Sequence, residues 1–277
     1  MVAEGASIAM AAEPDIDALR RERSSWWYVA RRSLLREAVQ QSLNGKREAR
    51  VLDFGCSAEL EFADSFLLRA TGAHDSLAVL AFQRSEGHQR LVCTNADELA
   101  FTSNSFDTIV AGDMLQSAAD DGACLRELRR VLKDGGMLCL TVPAYSFLWG
   151  EEDEIRGHQR RYNASELRRK LNNSGFEIER VSYLVAGGFL PAAVARLMKN
   201  IFRKSVVRDL EASTLPTWAN GTMVAMVNLE RRLIRLINLP FGTRLVCWAR
   251  KPPLVAERVT VSAWERQWAR PPLPQGM

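Results

Sequence analysis

Apolar positions in this chain switch repeatedly between short strand-like runs and longer stretches at helical spacing. Residues 16–43 form a helical pattern, with Trp26, Trp27 and Tyr28 set among arginines. Arg50–Phe54 is a compact apolar run that predicts a strand, and Ala58–Ala70 a helix. Ser76–Phe82, "SLAVLAF", reads as the second strand, Leu91–Thr94 as the third and Phe106–Ala111 as the fourth. An amphipathic helix follows over Cys124–Leu132, and the glycines of the turn Lys133–Gly136 suit a left-handed C-cap. Met137–Val142 is the fifth strand, stopped by Pro143. Asn163, with Glu166 three residues on, opens a further helix in a capping-box arrangement. Phe176–Tyr183 is the sixth strand, residues 188–240 are helical and basic, and Thr243–Arg250 is the last strand.

Strands alternating with helices at this spacing predict an α/β fold, a mainly parallel sheet covered on both faces. The expected organisation is a tail over residues 1–15, an N-terminal helical lid over 16–48 and a binding core over 49–187. A basic helical insertion over 188–240, a strand completing the core over 241–255 and a second tail over 256–277 finish it. Ligands of such sheets lie beyond the carboxyl ends of the strands, at the switch point. That position falls on the segment after Val51, "VLDFGCSAEL", in which an apolar run ends in Asp53 and Gly55 and continues through Cys56, Ser57 and Glu59.

The stretches "VLDFGC", "NADELAFTSNSFDTIVAGDMLQS" and "LRELRRVLKDGGMLCLTVPAY" resemble the class I S-adenosylmethionine-dependent methyltransferases, the type 11 branch in particular, over about residues 20–255. The resemblance implies a Rossmann-like sheet of seven strands with the last antiparallel, and S-adenosyl-L-methionine as cofactor. It also implies cofactor contacts at Asp53, Gly55 and Cys56 (methionine end), at Asn95 and Ala96 (adenine) and at Asp113 (end of the fourth strand). The family's three loop glycines correspond here to Gly55, Ser57 and Glu59. An acidic residue normally closes the second strand and grips the ribose hydroxyls; the strand assignment above puts Phe82 there, with Gln83 beside it. A glutamate at a loop position needing positive φ costs roughly 1–2 kcal/mol. Loss of the ribose carboxylate removes charge-assisted bonds of about 1.5–3 kcal/mol. The segment "WGEEDEIRGHQRRYNASEL" and the end "LPFGTRLVCWARKP" are similar to bacterial methyltransferases assumed to act on envelope or lipid-linked glycans.

Candidate chemistry lies in "GHQRRY". A neutral imidazole at His158 could accept the acceptor's proton, and Arg160, Arg161 and Tyr162 could hold an anionic substrate; the competing reading is a surface loop. The acidic run Glu151–Glu154 reads as a solvated loop, and Trp26–Trp27 either as a lid or as an anchor into the core. With 47% hydrophobic and 25% charged residues the composition is that of a globular protein, and a net charge of +4 argues against a dedicated nucleic-acid binder. Five dispersed cysteines suggest buried thiols in a reducing compartment, and neither a signal peptide nor an eighteen-residue apolar span is read. The expectation is therefore a cytoplasmic methyltransferase, with no metal, acting on a small-molecule or lipid-linked acceptor. Basic amphipathic segments over Leu190–Arg208 and from Met226 to Leu236 would allow peripheral contact with an anionic membrane at its inner face, or pack on the sheet edge. The alternative is a non-catalytic binding or scaffolding protein, working with a partner methyltransferase.

Overall fold

The computed structural model describes residues 25–43, 48–56, 69–190, 192–194 and 217–253. Seven strands form one sheet in the order β3-β2-β1-β4-β5-β7-β6. They are β1 (Arg50–Phe54), β2 (Arg69–His74), β3 (Leu91–Cys93), β4 (Phe106–Gly112), β5 (Leu132–Pro143), β6 (Glu177–Leu184) and β7 (Arg244–Arg250). β7 runs antiparallel to both of its neighbours, and the remaining pairs are parallel. The helices used below, among the described residues, are α1 (Trp26–Leu43), α2 (Leu77–Ser85), α3 (Asp121–Val131), α4 (Glu151–Ile155), α5 (Ala164–Asn173) and α6 (Thr217–Leu233). β1, β4 and β5 are apolar almost throughout because layers cover both faces of a parallel sheet. Asn163 caps α5, accepting from the Glu166 amide at 2.9 Å.

The second strand is not where the apolar run suggests. "SLAVLAF" is the N-terminal part of the segment Ser76–Ser85, in which Ser76 caps α2 and its hydroxyl accepts from the Val79 amide. Leucine and alanine are strong helix formers, and a run of this length fits either element. The strand is instead "RATGAH", Arg69–His74, whose small residues Ala70 and Ala73 are buried. Arg69 and Ala70 are thus strand rather than helix, and residues 58–68 of the expected helix lie outside the described residues. Phe82 is a buried helical residue packed on Val79, and the residue closing strand two is Asp75.

A second correction concerns the turn Lys133–Gly136. α3 passes directly into β5 through Leu132 in extended backbone, without a left-handed cap. Gly135 does adopt φ +74°, but within the irregularity where the β4–β5 register shifts. Its amide donates to the Lys251 carbonyl at 2.8 Å.

α1 lies against the sheet with Trp26, Trp27, Tyr28 and Leu34 buried among Val185, Val227 and Ile234. Its far end is joined to β4 by the hydroxyls of Ser42 and Thr108, 2.7 Å apart. Of the apolar stripe expected at Met226, Leu229, Leu233 and Leu236, Met226 is half-buried and the three leucines are exposed; Val227 and Ile234 form the buried face instead. Residues 195–208 of the other basic segment lie outside the described residues, and among those described no helix is long and apolar enough to cross a membrane. Of the cysteines, Cys93 is exposed and the other four are buried; burial pushes the Cys124 and Cys247 thiols up to about 12, which makes them poor nucleophiles.

After β6 the chain turns through Val185, at φ +61°, an unusual conformation for a β-branched residue. Glu230 of α6 holds this turn, accepting from the amides of Val185 (2.6 Å) and Gly187 (3.3 Å). Its carboxylate is buried, so removing it leaves amide donors without a partner. Glu230→Ala is expected to lower stability by about 2 kcal/mol in urea denaturation. An unchanged midpoint would show that the turn does not depend on this carboxylate.

Candidate functional site

The carboxyl ends of β3, β2, β1, β4 and β5 share one edge of the sheet, and the antiparallel β7 begins there at Arg244, opposite Pro143. The strand order reverses direction between β1 and β4, which creates a crevice at that edge. On the β1 side, Asp53 is buried and Gly55 has φ +88°. A Cβ at Gly55 would stand 1.8 Å from Cγ of Met114, so both conformation and space require glycine. Cys56 is buried, and its carbonyl accepts from Gln83 Nε2 at 2.6 Å. Ser57 and Glu59 lie outside the described residues.

Asp75 follows β2 directly, with 60% of its side chain exposed. His74 Nδ1, which accepts from the Ser76 amide at 2.9 Å, also stands 2.9 Å from the Asp75 carboxylate, and the neighbouring imidazole is the main reason why the carboxyl is held below its ordinary 3.8. Beyond β3, Asn95 is exposed and Ala96 half-buried, in a loop fixed by Thr94. The Thr94 hydroxyl donates to the Glu98 carbonyl and accepts from the Ala100 amide. Asp75, Gly55 and the Asn95–Ala96 pair therefore stand at the ends of three adjacent strands.

Asp113 differs from these. It follows β4 at φ +54° and its carboxylate is engaged on both oxygens. Oδ2 accepts from Trp27 Nε1 (3.2 Å) and pairs with Arg31, while Oδ1 accepts from the Thr141 hydroxyl (3.3 Å) and pairs with Arg244 (3.0 Å). Three hydrogen bonds and the Arg244 ion pair thus engage both oxygens of this carboxylate. Arg244 also stacks over the Trp27 ring at 4.8 Å. Burial alone would raise the Asp113 carboxyl; Arg244 and Arg31, then the Trp27 N–H and His158, outweigh it and hold it at about 2.

His158 is nearly buried and donates no freedom to solvent: its Nδ1 lies 2.8 Å from Asp153 Oδ1, and its Nε2 lies 3.4 Å from Gln116 Nε2. Asp153 belongs to the acidic run, but it is 1% exposed, unlike its neighbours. It accepts from the Gly150 amide (2.8 Å) and from Arg161 Nε (3.0 Å to each oxygen). Burial pushes its carboxyl up, but the bonds from His158 and Arg161 hold it well below the usual range. Arg161 is thus spent on Asp153, and Arg160 on the Ala119 carbonyl and Asp121. Tyr162 is fully buried, donating to Asp121 Oδ2 at 2.9 Å, and burial pushes its phenol up. His158 stands on the Asp113 side of the crevice, whereas Tyr162 is a core residue. Asp153 and Gln116 are the members missing from the sequence reading. The five-residue spacing from Asp153 to His158, across the end of the short helix α4, was the available signal.

A methyltransferase-domain family model matches residues 26–181, more than half of the 277-residue chain. An uncharacterized protein of Methanocaldococcus jannaschii is 28% identical over 136 residues, covering 49% of this chain and 53% of its own. The demethylmenaquinone methyltransferase of Geobacillus kaustophilus is 32% identical over 120 residues, covering 38% of this chain and 50% of its own. The chain thus spans about half the length of these curated relatives. Among solved structures, Haemonchus contortus phosphoethanolamine N-methyltransferase 2 with phosphomonomethylethanolamine and S-adenosylhomocysteine matches at a TM-score of 0.53 and 20% identity. That match covers 88% of this chain and 59% of the other, and it concerns the fold alone.

Asp113 contributes to the acid sensitivity of the fold, beside Asp153. A depressed folded-state pKa contributes stability that is present above the unfolded value and lost as pH falls through the folded one. Asp113 should therefore contribute about 2 kcal/mol above pH 4, lost between about pH 4 and pH 2. Asp113→Ala leaves two guanidiniums beside an empty space and is expected to cost about 3–5 kcal/mol at pH 7 and to flatten that acid limb. Urea denaturation across pH measures both; an unaltered acid limb in the variant would remove Asp113 from this role.

Proposed function

We propose that this chain, which belongs to the methyltransferase-domain family, transfers a methyl group from S-adenosyl-L-methionine to a small-molecule or lipid-linked acceptor. The observation that carries the reading is the end of β2 at His74, which leaves Asp75 as the acidic residue at the strand end. The type 11 branch is consistent with the family match. The residues fit the cofactor: Gly55 offers bare backbone beside β1, and Asp75 offers an ionised, accessible carboxylate for a ribose diol. Asn95 and Ala96 would border the adenine. Asp113 is left out of the set, because both of its oxygens already serve protein groups. When bound, the cofactor supplies an electrophilic methyl group.

The chain's own groups do the rest. The Asp153 carboxylate, kept ionised by Arg161 and the Gly150 amide, accepts the Nδ1–H of His158 and leaves the ring's lone pair on Nε2, where the Gln116 amide N–H faces it. Nε2 can then take the proton of the acceptor's nucleophile. Gln116 Nε2 at 3.4 Å steadies that face of the ring. Asp153 thus acts through His158 as a positioning residue.

A binding or scaffolding protein without turnover is the second reading. It rests on Ser57 and Glu59 in place of the two glycines that the resemblance implies. Calorimetric titration with S-adenosyl-L-methionine separates the two readings: saturable binding supports the enzyme, and no heat at millimolar cofactor supports the scaffold. Asp75→Ala is expected to weaken cofactor binding by about ten- to a hundredfold, in line with the loss of charge-assisted hydrogen bonds. Binding equal to the parent's would show that the ribose is held elsewhere.

His158→Ala is expected to lower kcat by about 10²–10⁴ and to leave cofactor affinity within about twofold. Turnover is read as S-adenosylhomocysteine formed with any acceptor that the enzyme uses. Asp153→Asn should reduce kcat in the same direction. A parallel loss of cofactor affinity in both variants would assign the pair to structure instead.

A further inference from the structure

At the opposite edge of the sheet from the crevice, a groove of about 460 Å³ opens between α1, α6 and the strands β5, β6 and β7. Its floor is apolar, formed by Leu34, Met137, Ile234 and Trp248. Four arginines line it, Arg180, Arg231, Arg235 and Arg250, together with two carboxylates, Glu37 and Glu179. Glu37 is shared between Arg231 and Arg235, and Glu179 pairs with Arg250. Arg180 donates to the Ile234 carbonyl, a neutral partner. Four positive charges against two negative ones leave an excess of two among the lining residues. Nε of Arg231 is buried without a hydrogen-bond partner.

We propose that this groove is a binding site for a phosphate ester with a planar or apolar body. A guanidinium fork matches phosphate oxygens in a bidentate way, and a dianionic phosphate balances the excess of two charges. A monocarboxylate would leave one charge uncompensated. The volume suits a small ligand, and the half-buried Trp248 ring offers a face for stacking. The site is separate from the methyl-transfer crevice, yet one helix serves both. α1 carries Arg31 at Asp113 and Glu37 in the groove, six residues or roughly 9 Å further along its axis. A ligand seated here bridges α1 and α6 and so favours the docked position of the helix that holds Asp113.

The test uses the full chain and phenyl phosphate as probe, titrated calorimetrically at constant ionic strength, with inorganic phosphate as the comparison. Saturable binding, tighter for phenyl phosphate than for inorganic phosphate, is expected. Arg235→Gln should weaken it at least fivefold, and Glu37→Gln, which frees two guanidiniums, should tighten it. Opposite shifts of this kind would not arise from a loss of folding, and Arg235 is half-exposed, so its removal is compatible with the fold. Phosphatidic acid vesicles, which present a phosphate monoester, that displace phenyl phosphate where phosphatidylcholine vesicles do not would assign the phosphate to a lipid headgroup. Failure of both vesicle types to displace it would assign the site to a soluble ester. Absence of saturable binding, or identical binding in both variants and the parent, overturns the proposal.

Discussion

The carboxylate of Asp113 is the tie on which the working edge of this protein depends. It receives groups from three places distant in sequence: Trp27 and Arg31 on α1, Thr141 on β5 and Arg244 at the start of β7. Burying one carboxylate between two guanidiniums is favourable only when its remaining lone pairs are also satisfied. The Trp27 N–H and the Thr141 hydroxyl do this here. The N-terminal helix is therefore fixed against strand ends that it would otherwise merely cover. The residue after β4 is consequently a structural centre, and it divides the crevice into a β1–β2–β3 side and a β4–β5 side.

The two sides have different chemistry. Gly55, Asp75 and Asn95 end adjacent parallel strands and present backbone, an ionised carboxylate and an exposed amide. Across the tie, His158 is set by Asp153, and Asp153 by Arg161 and the Gly150 amide. This nested arrangement places the burden of orienting the imidazole on buried groups. It also explains why the arginines of "GHQRRY" do not face a substrate. Arg161 is needed to keep Asp153 ionised in a buried place, and Tyr162 to satisfy Asp121 beside α3.

Most of the sheet was legible in the sequence, because β1, β4, β5 and β7 are buried on both faces and read as apolar runs. β2 was not legible. "RATGAH" packs through alanine and glycine, so it has almost no hydrophobic signature, while the adjacent "SLAVLAF" has a strong one but is a helix capped by Ser76. That displacement moved the strand end by several residues and put Phe82 where Asp75 stands. Correcting it puts an exposed acidic group at the end of the second strand. Asp153 was hidden for a different reason. Four consecutive acids look solvated, and only the fold shows that one of them turns inward to meet His158.

The central claim is that the edge formed by β1 and β2 holds the cofactor through Gly55 and Asp75. A crystal structure of the full chain with S-adenosylhomocysteine tests it most directly. The account predicts the ribose hydroxyls within hydrogen-bond distance of the Asp75 carboxylate, with the methionine end beside Gly55. A nucleoside bound away from Asp75, or next to Phe82, would contradict it.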